Sequence, residues 1–141
     1  MIIQYPDYRL MIKSSSIVGV SLSGEIIEEI LYHLRSGALG IAAPQLGFQY
    51  RAIGVKYGME YLILLNPEII KRSGKTYASD EQCLSINNGK DNFIVRRDKY
   101  IKVKAQTLNG KIGVLKGRDI FGRILQHEID HLDGILINQK R

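Results

Sequence analysis

Between Gln126 and Gly134 the chain reads QHEIDHLDG, placing two of its three histidines within five residues and a glutamate directly after the first. On an α-helix, residues four apart share a face and lie about 6 Å apart along the axis. His127 and His131 can therefore hold one ion between them. Glu128, beside the first histidine, can lean toward a water next to that ion and take its proton. HExxH at this spacing is the pattern of a metal-dependent hydrolase.

Two histidines leave a catalytic ion one protein ligand short, because such sites take three protein ligands and keep one position open. Cys83 lies 44 residues before His127, in DEQCLSI. A thiolate would leave a divalent ion with a single net positive charge, and it suits iron(II) or zinc better than magnesium. Glu81 and Asp130 are the alternatives on spacing. Asp130 ranks lower, since each helical residue turns about 100° from the last and carries it away from both histidines. A third segment, GALGIAAPQLG, combines small residues that admit a ligand close to the backbone with Gln45, whose amide can donate to a developing oxyanion.

These side chains must be held by regular elements. GEIIEEILYHLRSG puts Ile26, Ile27, Ile30, Leu31 and Leu34 on one helical face, with Ser23 as cap and Gly37 as stop. Residues Ala52 to Lys56 and Tyr61 to Asn66 are short, apolar and β-rich, separated at Tyr57-Gly58 and closed by Pro67, as paired strands would be. YIKVKAQTL alternates apolar and polar residues, meets Asn109-Gly110 and continues into KIGVL, the pattern of a β-hairpin. The last element spans about Arg118 to Leu132, carries Ile120, Ile124 and Leu125 before the histidines, and ends at Asp133-Gly134. SINNGKDN, residues 85–92, reads as a polar loop. The order of elements indicates an α+β fold, with a helix laid on strands.

At 141 residues the chain suits one domain, residues 1–141. Its 45% hydrophobic and 24% charged composition is that of a globular protein rather than a disordered one. No apolar run reaches the roughly 18 residues of a membrane span. The start, MIIQYPDYRLMIK, lacks the unbroken apolar core of a secretory leader. A lone cysteine makes no internal disulfide, so a cytoplasmic setting is expected. The net charge of +6 would suit an acidic partner, but the cations are scattered along the chain without a nucleic-acid motif. The charge is read mainly as solubility, with no specific nucleic-acid partner and no membrane.

ALGIAAPQ, EQCLS and QHEIDH, in this order, resemble the GxGxAAxQ, EGCLS and QHExDH segments of the peptide deformylases, and the likeness runs through most of the chain. It implies a peptide-deformylase-like fold of antiparallel or mixed sheets around a C-terminal HExxH helix, with one N-terminal helix. It implies a divalent metal on Cys83, His127 and His131, natively Fe(II), replaceable by zinc, nickel or cobalt. Glu128 matches the general acid/base. Gln45 and the N–H of Leu84 match the oxyanion donors. Gly40 matches the backbone strip that pairs with the nascent peptide, while Leu39, Ile120 and Ile124 match the methionine pocket. The implied substrates are N-formyl-methionyl nascent peptides, met near the ribosome by a monomer.

Two positions depart from the pattern: Ala38 stands for its first glycine and Gln82 for the glycine of EGCLS. Gln82 puts a side chain beside the cysteine, where a backbone angle open only to glycine would be closed to it. Altered substrate affinity is expected from this more than loss of metal. The chain stops seven residues after Gly134, like compact members with a short C-terminus. The rival readings are an HExxH metallopeptidase and a non-catalytic or weakly active metal-binding homologue.

Overall fold

A computed structural model describes residues 1–18 and 22–140. The first helix, α1, spans Gly24–Arg35 and is capped as its sequence indicates, with Ser23 Oγ accepting from the Ile26 N–H at 3.4 Å. Its stop is Gly37, whose φ of +113° a side chain would resist. Ile26, Ile30 and Leu34 form the buried stripe, with Ile27 and Leu31 packed at its margin.

Seven strands follow: β1 (Gly40–Ala42), β2 (Ala52–Tyr57), β3 (Glu60–Arg72), β4 (Thr76–Glu81), β5 (Phe93–Asp98), β6 (Tyr100–Gln106) and β7 (Ile112–Arg118). Five of them build one antiparallel sheet in the order β1-β2-β3-β6-β7, while β4 and β5 pair separately as a hairpin. The expected pairs β2–β3 and β6–β7 are present, the latter turning at Asn109-Gly110. Pro67 does not close β3 as its sequence suggests. The strand runs five residues beyond it, because a register shift between Leu65 and Glu68 absorbs Asn66 at φ +49° and the missing N–H of Pro67. β1, β4 and β5 lie where the sequence showed no strand pattern. The loop at residues 85–92 holds only a single helical turn at Asn87–Gly89.

The second helix, α2 (Asp119–Leu132), carries the histidine pair and starts directly where β7 ends. Asp119 makes the corner at φ +52°, a region that Asp tolerates better than most residues. On one sheet face, Ile124, Leu125, Ile129 and Leu132 of α2 pack on Ile53, Val55, Leu64, Ile101 and Val103. On the opposite face α1 packs on Ile41, Ala43, Ala52, Ile63 and Leu65. The sheet is thus covered on both sides at its β1-β2-β3 end. A third cluster joins Ile3, Leu10, Cys83, Ile86, Val95, Leu136 and Ile137, drawing both ends of the chain onto the β4–β5 hairpin. Among the described residues no helix is long and apolar enough to cross a membrane.

Gly117 of β7 and Gly122 of α2 touch backbone to backbone, and this contact sets how closely the helix lies on the strand. A Cβ at Gly122 would stand 2.8 Å from the Gly117 carbonyl oxygen, which cannot rotate away. Gly122→Ala gains about 1 kcal/mol of helix propensity, but overpacking against rigid backbone costs about 1–3 kcal/mol or more. The variant should therefore unfold at lower urea concentration with an unchanged m value. An equal or higher midpoint would show that α2 can slide along β7 without cost.

Candidate active site

Three segments meet on one side of α2. Cys83, two residues beyond the end of β4, brings its Sγ to 3.3 Å from His131 Nε2. The ligand atoms of Cys83, His127 and His131 all lie within 4.8 Å of one another. Cys83 and His131 are buried, whereas His127 is half-buried at the floor of a cavity of about 680 Å³ that Gln45, Glu128 and Leu84 also line.

His127 Nδ1 donates to Glu81 Oε1 at 2.8 Å, which turns Nε2 toward the cluster. Glu81 is itself gripped by Arg97, which donates from Nε and Nη2 to its two oxygens, each at 2.8 Å. The remaining Arg97 nitrogen donates to Asp130 at 2.6 Å, and Lys140 reaches the same Asp130 oxygen at 3.0 Å. Glu81 and Asp130, the alternatives to Cys83 on spacing, are both engaged by this guanidinium. Arg97 is only 1% exposed and stands on β5, so the polar knot joins the hairpin to α2. Gln126 adds a second tie, exchanging hydrogen bonds with the backbone N–H and carbonyl of Asp98.

Electrostatics follow from this packing. Burial opposes the charge of Glu81, but the hydrogen bonds from Arg97 and His127 outweigh it and hold the carboxyl at about 2. Burial likewise opposes a charge on His127, yet Cys83, Glu81 and the charge of Glu128 lift the imidazole to about 10. A cation held among these donors would replace that proton. Burial, together with the His127 and Arg97 charges, drives His131 well below the ordinary imidazole range. Burial also pushes Glu128 up to about 7, although His127 and Arg97 pull the other way. A carboxyl near neutrality can both take and return a proton.

Gln45 is buried with its amide pinned at both ends. Its Oε1 accepts from the Ala42 N–H at 2.9 Å, so Nε2 faces Ser85 Oγ at 3.0 Å and Cys83 Sγ at 3.8 Å. The Leu84 carbonyl accepts from Gln4, while its N–H makes no hydrogen bond among the described residues. Residues 3–5 lace the Gln45 and Cys83 segments together, with the Ile3 N–H donating to the Gln45 carbonyl and the Tyr5 N–H to that of Ser85, each at 2.7 Å.

Leu39, Gly40 and Ile124 line the cavity, and Ile120 lies outside its lining. It is 61% exposed and borders a smaller adjoining hollow with Leu39, Tyr57, Phe121 and Ile124. Gly40 has a definite steric role, since a Cβ there would stand 2.7 Å from Glu128 Oε2 and 2.9 Å from Ile124 Cγ2. Gln82 is not among the residues with positive φ, so its backbone needs no glycine, and its side chain turns to Asn92 Oδ1 at 3.3 Å. Ala38 likewise sits at an ordinary φ, because Gly37 makes the left-handed turn.

The donor set fits a single divalent ion. Tetrahedral coordination with ordinary metal–sulfur and metal–nitrogen lengths separates S and N by about 3.6 Å, close to the 3.3 Å between Cys83 and His131. Glu128 Oε1 is buried without a partner, as suits a carboxylate that faces a ligand. One thiolate, two imidazoles and an unengaged carboxylate at the floor of a cleft define a metallohydrolase type of site on an α+β scaffold.

The model of the polypeptide deformylase family matches residues 1–141, and the chain belongs to that family. A peptide deformylase of Acidobacterium capsulatum is 32% identical over 96% of this chain and 82% of its own length. One from Buchnera aphidicola is 34% identical over 96% and 93%. The peptide deformylase of Thermotoga maritima superposes with a TM-score of 0.91 at 28% identity, covering 100% of this chain and 97% of its own. A Met-Ala-Ser-bound class I type b enzyme from Acinetobacter baumannii does so with a TM-score of 0.92 at 26% identity and the same coverage.

Sequence reasoning missed the work of Arg97, Ser85 and Gln4, and it treated Glu81 only as a spare ligand. A signal for Glu81 existed, because a ligating histidine usually donates its second N–H to a carboxylate. Nothing along the chain marked Arg97 as that carboxylate's partner. Arg97→Met leaves Glu81 and Asp130 buried without their cation, and breaking such a pair costs about 3–5 kcal/mol. It also frees Glu81 from the orientation that fixes His127, so metal affinity measured by chelator competition should fall about 10- to 100-fold. Unchanged stability and metal retention would show that the knot is incidental to the site.

Proposed function

We propose that this chain hydrolyses the N-formyl group from peptides that begin with formyl-methionine, releasing formate and a free amino terminus. The observation that carries this reading is Glu128, buried and unengaged beside the Cys83–His127–His131 cluster, with Gln45 held across the same cavity. The ligands would be Cys83, His127 and His131, with Fe(II) as the native ion and zinc, nickel or cobalt able to stand in. When bound, the ion supplies Lewis acidity that polarises the formyl carbonyl and eases ionisation of water.

The remaining work falls to the chain's own groups. Glu128 accepts the proton of the attacking water and delivers it to the departing amine nitrogen, a return trip suited to a carboxyl held at about 7. Gln45 Nε2 and the Leu84 N–H donate to the oxygen that becomes negative as the carbon turns tetrahedral. The bond from the Ala42 N–H to Gln45 Oε1 keeps the amide from presenting its oxygen there. Gly40 leaves room for the Glu128 carboxylate while its backbone runs beside the peptide. Leu39 and Ile124 offer apolar surface to the methionine side chain, and Ile120 extends that surface into the adjoining hollow. The chain would act as a single cytoplasmic domain and a monomer, on peptides emerging from ribosomes.

The test is formate release from a formyl-Met peptide by anaerobically prepared Fe(II) or nickel protein, run beside Glu128→Gln and an unformylated peptide. Turnover should be metal-dependent and fall about 100- to 10,000-fold in the variant, which keeps its metal. Cleavage of the unformylated chain would instead identify a peptidase, and a metal-loaded protein that releases no formate would be a non-catalytic homologue. Gly40→Ala gives an independent check. A Cβ at 2.7 Å displaces the Glu128 carboxylate, and a shift of that order lowers kcat about 10- to 100-fold with metal content intact. Wild-type kcat in that variant would mean that Glu128 has no fixed working position.

A further inference from the structure

Cations that are scattered along the sequence come together on the sheet. In the antiparallel register Lys71 of β3 faces Lys102 of β6, and Lys102 faces Lys116 of β7, so three lysines stand abreast on three adjacent strands. One step along, Lys104 faces Glu68 on one side and Val114 on the other. One step the other way, Tyr100 faces Arg118, whose guanidinium lies 5.0 Å from the ring centre. These positions point away from the core, since Ile101, Val103 and Ala105 between them are buried under α2. The helix that covers this side of the sheet, α1, packs at the β1-β2-β3 end.

The row is costly. Strands lie about 4.8 Å apart, and like charges placed directly opposite each other destabilise a sheet. Lys71, Lys102, Lys104 and Lys116 have no ion pair among the described residues. Glu68 is the one acid at these register positions. Protection of an exposed edge against strand pairing would account for Lys116 on β7 and for Lys71, since β2 pairs β3 only as far as Leu65, but Lys102 has a paired strand on each side. A bound polyanion removes the repulsion along the whole row.

We propose that the solvent face of β3-β6-β7, centred on Lys71, Lys102 and Lys116, docks the phosphate backbone of RNA without reading its sequence. A phosphodiester chain carries its charges at regular intervals, as a row of ammonium groups requires. Arg118, planar and lying over Tyr100, offers a surface on which a base can stack. The face lies on the opposite side of the sheet from α2, so RNA bound there leaves the cavity open to peptide. RNA docking is independent of the hydrolytic reading, and each can fail without the other.

The experiment measures binding of a short labelled single-stranded RNA by fluorescence anisotropy from about 50 to 200 mM salt. The metal-loaded protein is compared with Lys71→Gln/Lys102→Gln/Lys116→Gln and with Lys13→Gln/Lys90→Gln, which removes cations elsewhere. At about 0.7 per phosphate contact, the triple variant should show a log–log salt slope shallower by about 2 and an affinity at about 50 mM salt lower by on the order of 100-fold. The control should bind like the parent. Turnover of a free formyl-Met peptide, followed in parallel, should be equal in all three proteins. RNA binding that survives in the triple variant would overturn the proposal. So would an affinity for phosphatidylserine vesicles with none for RNA, which would make this a membrane-facing surface.

Discussion

The site depends on one buried charge. Arg97 on β5 has lost its water and is stable there only because Glu81 and Asp130 complete its shell of acceptors. Those two carboxylates belong to β4 and α2, so the requirement to neutralise one guanidinium fixes the hairpin against the helix. Among the described residues no strand ladder joins the hairpin to the five-stranded sheet. Cys83 follows β4 by two residues and His127 rides on α2. The distance between sulfur and imidazole is therefore a by-product of how Arg97 is satisfied.

Two different forces thus locate the two halves of the site. Apolar burial presses α2 onto the large sheet through Ile124, Leu125, Ile129 and Leu132, and it tolerates small slips. The polar knot tolerates few, because a bidentate carboxylate pair works only over a narrow range of positions. A soft contact sets the helix roughly and a directional one sets the histidines finely. Glu128 completes the division of labour, since it is buried among charged groups yet engages none of them, and so it keeps a free oxygen toward the cavity.

The legible parts of the fold are those whose pattern is local. α1 carries its cap, stripe and stop within fifteen residues, Ser23 to Gly37, and α2 announces itself by HExxH and its flanking apolar residues. The β6–β7 hairpin alternates cleanly around Asn109-Gly110. β4 was illegible because TYASDE shows no apolar alternation, its order coming instead from Arg97 sixteen residues beyond Glu81. β3 was cut short at Pro67 because a bulge cannot be seen without its partner strand. Within the candidate site, residue type and motif named the histidine pair, Glu128, Cys83 and Gln45, which the fold brings to one cavity or its wall. Glu81 as orienter of His127 was not, since its role follows from a partner on another strand. The lysine row was invisible for the same reason: its members are 31 and 14 residues apart and meet only through register.

The lacing of residues 3–5 across the site bears on how the molecule folds. Gln4 bonds to residues 80 and 84 positions away, and Cys83 meets His131 across 48. Such closures demand that long stretches of chain be ordered first, so they form late, after the β2–β3 and β6–β7 hairpins have zipped locally. An ion cannot template this protein early in folding as it does a zinc finger, because its binding groups are apart until the end. Bound there, it would act instead as a latch, added to an almost finished structure and slowing its unfolding rather than hastening its assembly.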